Sequence, residues 1–164
     1  MIDIDGVLAD VRHRVHFVER SPKDWESFFA AAINDEPLAE GIAAVREQLT
    51  LGRSVVYVSG RPERCRRDTE AWLERQGLPT TPLHLRRNSD RRPARLTKKQ
   101  IIESLALRGE VGVVIDDDAA VVATLREAGF NVLHATWMDG GTNGVDSSPV
   151  QEALFEAQES DGRT

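Results

Sequence analysis

Strand-length apolar runs alternate with amphipathic stretches along this chain, and the strongest runs stop at polar residues. Ser54 to Val58 is rich in β-branched residues and ends at Ser59-Gly60; Val111 to Ile115 ends at three aspartates, Asp116 to Asp118. Met1 to Asp5 reads as the tail of another strand, and Leu83 to Leu85 and Asn131 to His134 as weaker ones. Helix signals lie between them. Leu38 to Leu51 has helical spacing and stops at Gly52; Pro62 opens a helix that Gly77 ends. Thr97 is the expected cap of a helix reaching about Leu107, and Asp118 to Ala128 is closed by Gly129. The alternation predicts an α/β fold: a doubly wound, mostly parallel sheet with helices on both faces. Ligands of such sheets bind beyond the carboxyl ends of the strands. That rule draws Asp3, Asp5, Ser59 and Asp116 to Asp118 toward one edge.

Residues Leu8 to Pro37 break the pattern. They hold His13, His16, Trp25, Phe28 and Phe29, and read as a short helical insertion after the first strand, a small lid. The expected organisation is one domain over 1–155 with a frayed tail at 156–164. No apolar run approaches the roughly 18 residues of a membrane span. No signal-peptide pattern opens the chain. Cys65 is the sole cysteine. It has no disulfide partner and no second thiol for a zinc site, which fits a reducing, cytoplasmic setting. The formal charge of −6 argues against a general nucleic-acid binder. Yet Arg61 to Lys99 carries twelve Lys/Arg against five Asp/Glu. That stretch either faces an anionic substrate or is a solvated surface.

Four segments can carry chemistry. Asp3-Ile4-Asp5-Gly6 sets two carboxylates two apart before a turn, an arrangement that caps and calcium loops also use. Ser59-Gly60-Arg61-Pro62 joins a strand end to an expected helix start, where a hydroxyl and free amides can meet an anion. It can equally be an ordinary cap. Lys98 and Lys99 fall near the expected start of a helix, where a positive charge opposes the dipole unless an anion is near. Solvated lysines are the alternative. Asp116-Asp117-Asp118 ends a buried strand; Asp118 suits a helix cap, leaving Asp116 and Asp117 for a hard cation such as Mg2+.

In order and placement these segments resemble the four motifs of the haloacid dehalogenase-like superfamily, over roughly Ile2 to Ala135. The resemblance implies Asp3 as nucleophile, Asp5 as general acid and base, and Ser59, Gly60, Arg61 and Lys98 on the phosphoryl group. It implies magnesium held by Asp3, Asp116, Asp117 and the main-chain carbonyl of Asp5. The presence of Asp5 favours phosphate chemistry over dehalogenation. Within the superfamily the chain is most similar to the 3′-phosphatase domain of polynucleotide kinase-phosphatases. The residues behind this are the run VVYVSGRPE, Asp90-Arg91-Arg92-Pro93 leading to Lys98, and VVIDDDAAVV. Ala94 stands where that family often has a second Asp. No GxxxxGK[ST] segment occurs, so no kinase half is present in these residues. Arg61 and the arginines of Arg86 to Arg95 are the expected contacts to a nucleic-acid backbone. Three functions stay open at this point: a phosphatase for nucleic-acid 3′ ends, a phosphatase for a small nucleotide or sugar phosphate, and a non-catalytic binding module of a larger repair protein.

Overall fold

The computed structural model describes residues 1–139, and within them the chain enters the middle of a sheet at once. The Ile2 amide donates to Val56 O at 2.9 Å, and Val58 N donates to Ile2 O at 3.1 Å. On the other side Asp3 N donates to Ile115 O and Ile115 N to Met1 O, both at 3.0 Å. A small antiparallel pair follows, β1 (Ala9–Asp10) with β2 (Glu36–Pro37). Between these strands lie α1 (His16–Glu19), α2 (Trp25–Ala30) and a 3₁₀ turn at Ala31–Asn34. The rest alternates: α3 (Ala39–Thr50), β3 (Tyr57–Pro62), α4 (Arg66–Arg75), β4 (Leu83–Arg86), α5 (Ala94–Ala106), β5 (Val114–Asp116), α6 (Ala119–Glu127) and β6 (Val132–His134).

β3 pairs in parallel with β4, and β5 in parallel with β6. Ile2 makes parallel bridges to both Tyr57 and Ile115, so the order is β4–β3–Ile2–β5–β6. The order reverses at the first segment, the kind of switch point where open α/β sheets bind ligands. Successive strand residues face opposite ways. Tyr57 and Ile115 pack with Val45 of α3 and with Trp72 and Leu73 of α4. Their neighbours Val58 and Val114 pack with Ile102 of α5 and with Val121 and Leu125 of α6. The sheet is therefore covered on both faces, as the alternation predicted.

Several boundaries differ from expectation. β3 starts at Tyr57 and runs through Ser59-Gly60 to Pro62, buried throughout. Pro62 both ends this strand and caps a 3₁₀ turn, Glu63–Cys65, that leads directly into α4, so the α-helix itself starts one turn later than expected. α5 begins at Ala94 directly after Pro93, which has no amide to lose at a helix start. Thr97 is thus inside the helix and does not cap it, and Lys98 lies more than a turn in. Asp118 caps α6 as expected, its Oδ1 accepting from Ala120 N at 2.7 Å and Val121 N at 3.1 Å.

The insertion has its own small core. Val11, Val15 and Val18 pack with Trp25, Phe28 and Phe29, joined by Leu38, Cys65 and Met138. Cys65 is buried there. The expected tail and the limit at 155 lie outside the described residues. No helix among those residues is long and apolar enough to cross a membrane.

Candidate active site

The segment after Ile2 folds back sharply. Ile4 O accepts from Leu8 N at 2.8 Å and Ala9 N at 2.9 Å, and Gly6 N donates to Ala9 O at 2.9 Å. Gly6 takes φ +74°, which a β-carbon disfavours. A Cβ there would lie 1.8 Å from Asp117 Oδ2, so glycine also makes room for that carboxylate. This turn lifts Asp3 and Asp5 to the carboxyl edge of the sheet, where β3 brings Ser59 and Gly60 and β5 brings Asp116. Asp3, Asp5, Ser59, Gly60, Lys98, Asp117 and Asp118 line one small depression.

Lys98 crosses this depression. Its Nζ donates to Asp3 Oδ2 at 2.6 Å and to Asp116 Oδ2 at 2.8 Å, with all three side chains buried. Burial alone would lower the lysine, but Asp116, Asp3, Asp117 and Asp118 outweigh it and push it above its usual value. The carboxylates also rise. Burial lifts Asp3, with Lys98 offsetting part of the effect. Burial lifts Asp116 to about 7, Lys98 again offsetting and Asp3 and Asp118 adding. Burial, then Asp3 and Asp116, raise Asp117 further. Both signs have one origin: a single cation stands among an excess of buried negative charge.

That imbalance fits a metal ion. Asp3, Asp116 and Asp117 each offer an oxygen, and the three atoms lie within 4.8 Å of one another. Asp3 Oδ1 is buried without a hydrogen-bond partner. Three hard carboxylate oxygens are the donor set of a hard divalent cation. This cluster could therefore hold one.

Asp5 has the opposite surroundings. Its Oδ1 accepts from Arg14 NH2 at 2.6 Å, Arg61 NH2 at 2.6 Å and Arg61 Nε at 2.9 Å. Burial opposes ionisation, but Arg14 and Arg61 prevail and hold the carboxyl down to about 2. Every one of these bonds falls on Oδ1, leaving Oδ2 without a guanidinium. Behind the arginines lies Asp35, accepting from Arg14 Nε and NH2, both at 2.7 Å, from Arg61 NH2 at 2.9 Å, and sharing a 2.8 Å contact with His13 Nε2.

The structure thus gathers Asp3, Asp5, Ser59, Gly60, Lys98, Asp116 and Asp117 at one place. Arg61 is different. It is 1% exposed and turned inward onto Asp5, Asp35 and Thr69. Where a contact to phosphate or backbone was expected, its guanidinium is already matched by two carboxylates. Arg86 is likewise buried, donating to Gly60 O at 3.2 Å and Arg92 O at 2.5 Å. Ser59 and Gly60 remain beside the depression, but in a strand and not at a helix start. Arg14 and Asp35 were missed. One signal for Arg14 existed: Val11, Val15 and Val18 put it on the buried side of its segment. Asp35 reads as an ordinary acidic turn before Glu36-Pro37.

The profile of a family described as the polynucleotide kinase PNKP phosphatase domain matches residues 1–139. A comparison with curated protein sequences finds no match. Among solved structures, the chain superposes on one in the Pnkp1/Rnl/Hen1 RNA repair complex with TM-score 0.69 and 23% identity, covering 81% of this chain and 40% of that one. It also superposes on the class C acid phosphatase from Bacillus anthracis with TM-score 0.61 and 16% identity, covering 94% and 76%. The chain therefore spans well under half of the repair-complex chain it matches.

Proposed function

Because the chain belongs to the family of polynucleotide kinase phosphatase domains, and is a phosphatase of the haloacid dehalogenase-like type, we propose that it removes 3′-phosphates from nucleic-acid ends. The observation that carries the proposal is Lys98 bridging Asp3 and Asp116 beside Asp117, a nucleophile held within a partly neutralised acidic cluster. The likeness to a chain in an RNA repair complex supports polynucleotide ends as the substrate.

In this reading Asp3 attacks the phosphorus. An oxygen–phosphorus bond forms to its carboxylate as the bond to the 3′-oxygen breaks, giving an aspartyl-phosphate and a free hydroxyl. Water then attacks the phosphorus and releases inorganic phosphate, restoring Asp3. Lys98 neutralises part of the charge that would otherwise repel a phosphate from a carboxylate. Ser59 and Gly60 border the phosphoryl position. Asp5 handles the protons through Oδ2: it protonates the leaving oxygen and later takes a proton from the attacking water. Arg14 and Arg61 hold it ionised at rest, so the proton it passes to the leaving oxygen is one it first takes from the arriving phosphate in its monoanionic form. Asp3, Asp116 and Asp117 would hold magnesium, whose charge supplies the remaining neutralisation when bound.

The test is phosphate release from a 3′-phosphorylated oligonucleotide with magnesium or with chelator, beside Asp3→Asn. Release that needs magnesium and disappears in Asp3→Asn is expected. Turnover of a small phosphate ester without oligonucleotide turnover would remove the nucleic-acid assignment and keep the chemistry. Activity surviving in Asp3→Asn would remove Asp3 as nucleophile.

A further inference from the structure

Beside the catalytic edge, a groove of about 530 Å³ runs between β4 and α5. Three guanidiniums, those of Arg87, Arg92 and Arg108, line it against one carboxylate, Asp90. Arg92 is tied to Asp90 by bonds from Nε at 3.0 Å and NH2 at 2.6 Å. Arg87 and Arg108 are exposed and make no ion pair among the described residues. The groove's own field is positive. Burial lowers His84, which lines it, and Arg66 and Arg108 add to the lowering. The floor is aliphatic, with Ile101 and Leu105, and the groove's one ring is the His84 imidazole, with no Phe, Tyr or Trp.

Resting on the function proposed above, we infer that this groove holds the sugar–phosphate backbone of the strand whose 3′ end enters the active site. Two features favour a polyanion over a single phosphate. Arg92 precedes α5 and Arg108 follows it, and a helix of 13 residues separates them by about 20 Å. One phosphate cannot meet both; a strand spanning several nucleotides can. The groove and the catalytic depression also meet neighbouring residues of α5, Thr97 and Lys98. Thr97, at its catalytic end, donates to Asp90 at 3.3 Å and precedes Lys98 on the same helix. With no Phe, Tyr or Trp to stack on a base and phosphate-pairing guanidiniums along its length, the groove reads the backbone rather than the sequence.

The experiment compares the wild type with the double variant Arg87→Gln/Arg108→Gln. The substrates are a 3′-phosphorylated oligonucleotide long enough to span the groove, a 3′-mononucleotide and p-nitrophenyl phosphate. Both arginines lie on the surface, and unchanged p-nitrophenyl phosphate kinetics verifies that the variant is folded. The expected result is a KM for the oligonucleotide raised about tenfold with kcat unchanged, and no change on the other two substrates. The salt dependence of log(kcat/KM) on the oligonucleotide should also flatten by about 1.4, two single-strand phosphate contacts at roughly 0.7 each. An unaltered oligonucleotide KM and salt slope would overturn the groove while leaving the 3′-end function standing. An equal loss on the mononucleotide would replace the strand with a free nucleotide. No oligonucleotide turnover by the wild type would overturn both readings together.

Discussion

Asp35 accepts hydrogen bonds from Arg14 and Arg61 in a region closed to solvent, and those two guanidiniums in turn grip Asp5. Removing one member of a buried ion cluster leaves the others uncompensated, at a cost of about 3–5 kcal/mol. Asp35→Asn keeps the shape and deletes the charge. Denaturant unfolding should show a loss of that order with an unchanged slope, and the remaining folded enzyme should lose activity because Asp5 is no longer held. At this scale the sequence was legible where chemistry is written in contiguous motifs. Asp3, Asp5, Ser59, Lys98 and Asp116 each sit in a short recognisable segment. Arg14 and Asp35 are 21 residues apart, and only the folding of the insertion makes them neighbours. Arg61 was visible, but the sequence does not say that two carboxylates already surround it.

α3 and β3 test competing effects at the scale of elements. Gly41 lies within α3, where alanine is favoured over glycine by about 1 kcal/mol. A Cβ at that position would lie 1.9 Å from Val7 O and 2.8 Å from Val7 C, both backbone atoms. Overpacking against a fixed backbone costs about 1–3 kcal/mol, so sterics should win. Gly41→Ala is expected to lower the melting temperature; a rise would show that α3 can slide off the turn beneath it. Tyr57 offers the converse. Its hydroxyl is buried without a partner, and burial pushes the phenol up to about 12. Tyr57→Phe removes an unsatisfied polar group and should stabilise by about 1 kcal/mol, or roughly 2–4 °C in a thermal melt. A drop would mean that the hydroxyl is satisfied in solution. The existence and type of the main elements were readable from apolar periodicity. Their ends were not, because β3 continues past an irregularity at Ser59-Gly60 and pairs with β4 again at Pro62 and Arg86, a long-range contact that local composition does not encode.

For the molecule as a whole, charge is segregated. The chain is acidic overall, yet the stretch from Arg61 to Lys99 is basic and supplies the arginines lining the β4–α5 groove. The alternation of elements sufficed to anticipate the covered sheet and its functional edge, since both follow from layer packing. It could not anticipate which arginines face water and which are sealed inside. One feature of the sheet reaches further. The peptide groups of Ile2 and Asp3 hydrogen-bond to β3's side through one amide and to β5's side through the next, so they clasp the two halves of the sheet together. Local fraying at either outer edge leaves this clasp untouched. The amide protons of Ile2 and Asp3 should therefore trade with deuterium only when the entire domain opens, with a protection free energy equal to that of global unfolding. Hydrogen exchange read by NMR would measure it, and faster, sub-global exchange there would show that the halves part independently. If the clasp holds, Asp3, the proposed nucleophile, is the last group to lose its place as the protein comes apart, and catalytic competence should report on the integrity of the whole fold.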